Sequence, residues 1–166
     1  DPDGIGVAHA DLVIEAAPER IEVKRAIYQT VEPRLKDGAI LATNTSALPL
    51  EQLSDGLADP SRFVGLHFFN PVPASKLVEV VVAESTPEAL VNTAKGWVEG
   101  LGKTAVVVKD APGFASSRLG VAIALEAIRM VEEGVASPRD IDNAMVLGYK
   151  FPIGPLELTD IVGLDV

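Results

Sequence analysis

The sequence predicts an α/β fold: a mostly parallel sheet packed with helices, followed by a purely helical stretch. Two observations predict this. Up to residue 109, short runs rich in valine, isoleucine and leucine alternate with amphipathic stretches of helical period. Such alternation argues for strands joined by right-handed crossovers. After Asp110-Ala-Pro-Gly113 only helical patterns remain. The expected organisation is therefore an α/β domain at 1–110 and the beginning of a helical domain at 111–166.

The elements follow in order. Asp11-Leu-Val-Ile-Glu15-Ala reads as a short buried strand, and Pro18 suits the start of the next element. Residues 19–35 place Ile21, Ala26, Ile27, Val31 and Leu35 on one helical face, with Lys24, Arg25 and Arg34 outside. Residues 39–44 are the next strand, then a turn at Thr45-Ser46 and a short helix near 50–57. Residues 63–68 and 77–83 are strands on either side of Asn70-Pro71-Val72-Pro73, a loop that proline stiffens and strips of backbone donors. A helix at 87–100 is stopped by Gly100 and Gly102, and a last strand covers 104–108. A long helix at 114–133 has Leu119, Ala122, Ile123, Ala127 and Val131 spaced for burial. Ser137-Pro138-Arg139-Asp140 is a good helix start, with serine as cap and proline at the first helical position. That helix is expected to run to Gly148, and another begins near Leu156.

Composition narrows the function. The hydrophobic share of 48% supports a real core, and aromatics at 5% leave it to aliphatic side chains. A net charge of −10 argues against nucleic-acid or anionic-membrane partners. There is no cysteine, so thiolate chemistry and disulfides are excluded. No apolar run approaches the roughly 18 residues that span a bilayer, and no export pattern opens the chain; a cytoplasmic protein is expected.

The chemistry concentrates around residues 62–83. His67 falls at the carboxyl end of one predicted strand, and Glu79 is the only charge inside the next. A carboxylate in an apolar strand is costly without a partner, and His67 lies twelve positions earlier, across the turn. Such a pair is a general base with its orienting acid, or else a satisfied strand-end histidine and an outward-facing glutamate. Topology favours the first reading. Ligands of open parallel sheets bind beyond the carboxyl ends of the strands. Three such ends carry Ala17-Pro18-Glu19, Asn44-Thr45-Ser46, and His67 with Asn70.

Other motifs carry little. Gly4-Ile5-Gly6 has His9 where a dinucleotide fingerprint needs its third glycine; a loop with His9 on the surface is the better reading. Gly96 to Thr104 imitates a phosphate loop but joins helix to strand, the wrong order. Asn44-Thr45-Ser46 matches a glycosylation pattern that has no meaning without export. The acidic stretch at 126–133 reads as a solvated helix face and Trp97 as core.

These blocks resemble the 3-hydroxyacyl-CoA dehydrogenase family. The matching pieces are D-L-V-I-E-A-A-P-E at 11–19, L-A-T-N-T-S at 41–46, G-L-H-F-F-N-P-V at 65–72, L-V-E-V at 77–80, D-A-P-G-F at 110–114 and G-P-L-E-L-T-D-I-V-G-L-D at 154–165. They are similar to the stand-alone bacterial enzymes often called 3-hydroxybutyryl-CoA dehydrogenases, and the multifunctional β-oxidation enzymes share these blocks. The resemblance implies a Rossmann-type domain that uses NAD to oxidise a 3-hydroxyacyl-CoA, or the reverse. It implies His67 as catalytic base, Glu79 as its partner, and Ser46 touching both the substrate oxygen and the nicotinamide end. Glu19, Lys24 and Asn70 fall on NAD-contacting positions, and Asn44 on a polar position of the Ser46 loop. No metal is implied. The family forms homodimers through its helical domain.

Two departures stand out. Pro112 to Arg118 reads P-G-F-A-S-S-R, so Ser117 replaces the family's asparagine; it either bonds substrate or is helix surface. The family's first strand, glycine fingerprint and ribose-binding acid would precede Asp1, and the rest of the helical domain would follow Val166. The chain is therefore expected to be an internal fragment, inactive by itself. A non-catalytic relative is the competing reading, with Ser117 as its support. An oxidoreductase of the β-hydroxyacid type ranks last, because Lys95, Lys103 and Lys109 do not fall where that class keeps its lysine base.

Overall fold

Five strands form one sheet, arranged in space in the order of the chain: β1 (Leu12–Glu15), β2 (Ile40–Thr43), β3 (Phe63–Phe68), β4 (Leu77–Val82) and β5 (Thr104–Lys109). The structure is a computed structural model and describes residues 4–163. By its contacts the chain divides into two units, Asp1–Phe114 and Ala115–Val166.

In the first unit β1, β2 and β3 run parallel, and β4 runs parallel to β5. β3 and β4 pair antiparallel, because residues 69–76 turn the chain straight back. The crossovers supply α1 (Ile21–Val31), α2 (Leu50–Ser54) and α3 (Glu88–Gly100). Successive strand residues point to opposite faces, so the sheet builds two cores. One gathers Leu41, Phe63 and Val81 with Tyr28, Val31, Leu50 and Leu53 from α1 and α2. The other gathers Ala42, Val64, Val78 and Val80 with Leu90, Ala94 and Val98 from α3. Phe63, Gly65 and His67 alternate onto the α1–α2 face, together with Glu79 and Val81 on β4.

Several expectations need correction. The Gly4-Ile5-Gly6 region is a 3₁₀ helix, Ile5–His9, rather than a loop, although His9 is exposed. The buried residues of α1 are Lys24, Tyr28 and Val31, an i, i+4, i+7 stripe, so Lys24 is inside and Ala26 outside. The apolar spacing misled because a lysine was assumed to seek water. Trp97 is half-buried; the sheet side of α3 belongs to Leu90, Ala94 and Val98.

The second unit holds α4 (Ser116–Glu132), α5 (Pro138–Asn143) and α6 (Pro155–Val162). Ser137 caps α5 by accepting from the Asp140 backbone N–H at 3.2 Å, as its sequence context predicts. The helix expected to reach Gly148 ends at Asn143 and passes into a π-helical turn, Ala144–Gly148. The Asp142 carboxylate then caps α6, accepting from Leu156 N–H at 2.8 Å and Glu157 N–H at 3.0 Å. A side chain at Gly154 would collide with that carboxylate, which explains the glycine. On α4 only Ala127 is buried, and Leu119 is 64% exposed. The apolar stripe is wider than two short helices can cover.

Close approach also explains Gly65. A Cβ there would lie 2.7 Å from Val81 Cβ and 3.4 Å from Leu50 Cδ1. Overpacking of this kind costs about 1–3 kcal/mol, so Gly65→Ala is expected to lower the unfolding free energy measured by urea titration by that amount. A variant as stable as the parent would show that β3 and β4 can separate freely at this point.

Candidate active site

The carboxyl ends of β1, β2 and β3 lie side by side, since Glu15 registers with Thr43 and Thr43 with Gly65. His67 lies two residues beyond Gly65 on β3, directly opposite Glu79 of β4 in the antiparallel register. Its Nδ1 is 2.8 Å from Glu79 Oε2. The two side chains are 6% and 1% exposed. The ring is walled by Phe69, whose centroid is 4.4 Å away, and by Phe114, edge-on at 5.6 Å. Phe114 adopts φ of 50°, unusual for a bulky residue, and its side chain is buried. Strained backbone of this kind clusters where a side chain must be held at a functional position. Nε2 is the ring nitrogen that Glu79 leaves for other chemistry.

A second cluster sits at the ends of β1 and β2. Glu19 accepts hydrogen bonds from the Thr45 hydroxyl, from Ser46 N–H at 2.8 Å and from Ala47 N–H at 3.2 Å. One carboxylate thus fixes the turn that carries Ser46. Behind it lies a buried group that the sequence reading overlooked. Glu15 Oε1 accepts from Lys24 Nζ at 2.7 Å, and Oε2 accepts from Tyr28 at 2.7 Å and Thr43 at 2.8 Å. The signal was present: an acid closing an apolar strand, then Lys24 and Tyr28 one helical turn apart. Asn44 Oδ1 accepts from Phe68 N–H at 2.8 Å, tying the exit of β2 to the end of β3.

Burial alone would raise both carboxylates, yet both are held below their ordinary range. For Glu15 the reversal comes from Lys24, Tyr28, the Ala17 N–H and Thr43. For Glu19 it comes from Thr45, the Ser46 N–H, the charge of Lys24 and the Ala47 N–H. Burial likewise pushes the Tyr28 phenol upward, reinforced by its bond to Glu15, so it stays a donor.

Each predicted residue can now be placed. Glu19, Asn44 and Ser46 gather at the strand ends, with Lys24 buried behind them, and His67 and Glu79 form the neighbouring pair. Asn70 is exposed in the loop after β3. Ser117 is half-buried on α4, in the helical unit. Among the described residues no group of three or more His, Cys, Asp or Glu side chains is arranged to hold a metal ion, and no helix is long and apolar enough to cross a membrane.

The lowered Glu15 carboxyl has a sign that can be checked. A depressed folded-state value stabilises the fold above the ordinary value of 4.5 and is lost as pH falls through the folded one. Between about pH 6 and about pH 3 the stability gap between parent and Glu15→Gln should therefore narrow in urea titrations. A gap that stays constant with pH would contradict the ionised, hydrogen-bonded state of Glu15.

Residues 3–111 match the family model described as 3-hydroxyacyl-CoA dehydrogenase, NAD binding domain. Residues 113–166 match the C-terminal domain model of the same family. A probable 3-hydroxyacyl-CoA dehydrogenase of Caenorhabditis elegans is 50% identical over 159 residues, covering 96% of this chain and 53% of that protein. A probable 3-hydroxybutyryl-CoA dehydrogenase of Bacillus subtilis is 45% identical, covering 95% and 55%. The crystal structure of FadB2 from M. tuberculosis superposes with a TM-score of 0.94 at 41% identity, covering 99% of this chain and 59% of that one. The chain spans about half the length of the curated relatives it matches. With its two domain matches in order and a shared Rossmann-type sheet followed by helices, the chain belongs to the 3-hydroxyacyl-CoA dehydrogenase family.

Proposed function

We propose that this chain carries the catalytic acid–base pair of an NAD-dependent 3-hydroxyacyl-CoA dehydrogenase. The observation that carries the reading is the buried contact between His67 Nδ1 and Glu79 Oε2 at 2.8 Å. A carboxylate only accepts, so it fixes the proton on Nδ1 and leaves the Nε2 lone pair for a substrate hydroxyl. As the 3-hydroxyl of the substrate is oxidised, Nε2 takes its proton and Glu79 stabilises the imidazolium. In the reverse direction the imidazolium returns the proton to the developing alkoxide. Phe69 and Phe114 keep water from the ring faces and so sharpen the Glu79 interaction. Ser46, at the rim, hydrogen-bonds the same substrate oxygen, while Ser117 is assigned to the substrate from its motif position alone.

The strand ends also suit the cofactor. Glu19 keeps 40% of its side chain exposed, Ser46 and Asn70 are exposed, and the Asn44 amide group remains a donor. These groups match the hydroxyl and amide groups of a nicotinamide riboside. NAD, when bound, supplies the hydride acceptor. The names of the relatives support a 3-hydroxyacyl-CoA as substrate. Homodimer formation through the helical unit is proposed from the resemblance, and the exposed Leu119, Val121 and Leu125 of α4 are apolar surface in keeping with it.

In a family-length polypeptide carrying this chain, His67→Ala is expected to lower kcat by ~10²–10⁴, the usual worth of a positioned acid–base group. NAD affinity should change little. NADH production from (S)-3-hydroxybutyryl-CoA measures the first, and fluorescence titration the second. Turnover at the parent rate would remove His67 from the reaction.

A further inference from the structure

Lys103, the lysine of the false phosphate loop, turns its charge inward. It sits between α3 and β5 on a base with two backbone anchors. Its own N–H donates to the Val98 carbonyl at 3.2 Å, with Gly102 at φ 70° making the turn that ends α3. The next residue opens the β4–β5 ladder, Thr104 N–H donating to the Lys76 carbonyl at 2.6 Å. From this base the half-buried side chain reaches the loop between β3 and β4. Its Nζ donates to the Val72 carbonyl at 2.6 Å and to the Ser75 carbonyl.

That loop needs an outside donor. Pro71 and Pro73 have no N–H, so the loop offers more carbonyls than it has amides to meet them. Its amides at Ala74 and Ser75 both go to the Pro71 carbonyl, each at 3.0 Å. Residues 70–74 are exposed, so apolar burial does little to fix them. One ammonium can donate to two carbonyls at once, and charge-assisted bonds are roughly twice as strong as neutral ones. The loop also joins the two halves of the acid–base pair. It begins with Phe69, whose ring centroid lies 4.4 Å from that of His67, and with the exposed Asn70. It ends where β4 starts, just before Glu79.

We propose that Lys103 is a positioning residue. By holding the Val72 and Ser75 carbonyls it fixes the loop at residues 69–76. The loop in turn keeps Phe69 against the His67 imidazole and presents Asn70 from the same turn. Lys103 acts through the loop, not on the reacting atoms. The proposal rests on the dehydrogenase reading only in taking His67 and Asn70 as site groups.

The test compares Lys103→Met, which keeps the length and loses the donors, with Lys103→Arg, which keeps donors, in a family-length polypeptide. In Lys103→Met, hydrogen exchange at the Ala74 and Ser75 amides should rise by about 10-fold, while the Phe68 amide, held by Asn44, should not change. The carbon-bound proton resonances of the His67 ring should move in the same direction as they do in Phe69→Leu, because both variants take an aromatic ring current away. The kcat should fall by about 10-fold, the effect of a misplaced site group. Lys103→Arg should return all three readings toward the parent. Parental exchange at Ala74 and Ser75 in Lys103→Met would overturn the proposal. So would faster exchange with unmoved His67 resonances or with parental kcat, because the lysine would then fasten a surface loop and nothing more. Equal acceleration at the Phe68 amide would mean that the whole sheet had loosened, and would overturn it too. Should Lys103→Met not fold, Lys103→Ala faces the same readings. Turnover that survives His67→Ala sinks the dehydrogenase reading instead, without touching the exchange and resonance results.

Discussion

A carboxylate in the middle of a buried strand needs a partner, and the contact between Glu79 and His67 is the constraint around which this site is built. The sheet meets it by reversing direction once. Had β4 continued parallel to β3, residues twelve apart in sequence would not face each other. The antiparallel turn puts position 67 opposite position 79, and side-chain alternation turns both toward the α1–α2 face. Gly65 keeps that junction tight by leaving room for Val81. Phe69 and Phe114 then remove water from the ring.

The same physics recurs two strands away with a different outcome. Glu15 is also a buried acid at the end of a strand, but its partners are an ammonium group and two hydroxyls. That pairing keeps the charge fixed rather than exchangeable. The two carboxylates thus divide the work by environment. One faces an imidazole that can gain and lose a proton, and the other anchors a lysine that also faces Glu19. Glu19 links this buried anchor to the rim, where Ser46 sits.

Much of this was legible in the sequence. The Phe63–Phe68 strand was read to the residue, because proline and phenylalanine mark its ends clearly. The His67–Glu79 pairing followed from one rule, that a lone charge in an apolar strand seeks a partner. Lys24 was read on the wrong side of α1 because helical periodicity sorts residues by polarity, whereas a lysine paired to a buried acid counts as interior. Tyr28 was missed for a related reason: its hydroxyl has meaning only once Glu15 is placed beside it, and that contact spans 13 positions and two elements. On α4, periodicity marked a real apolar stripe, but the width of a stripe does not say what covers it, and Leu119 remains exposed.

The assignment of His67 as the base depends on which ring nitrogen carries the proton. Nitrogen-15 NMR of the imidazole reads this directly in the unprotonated ring. A pyrrole-type Nδ1, bonded to Glu79, with a pyridine-type Nε2 is the expected result. A protonated Nε2 with a bare Nδ1 would contradict it, because the nitrogen meant to accept the substrate's proton would already hold one.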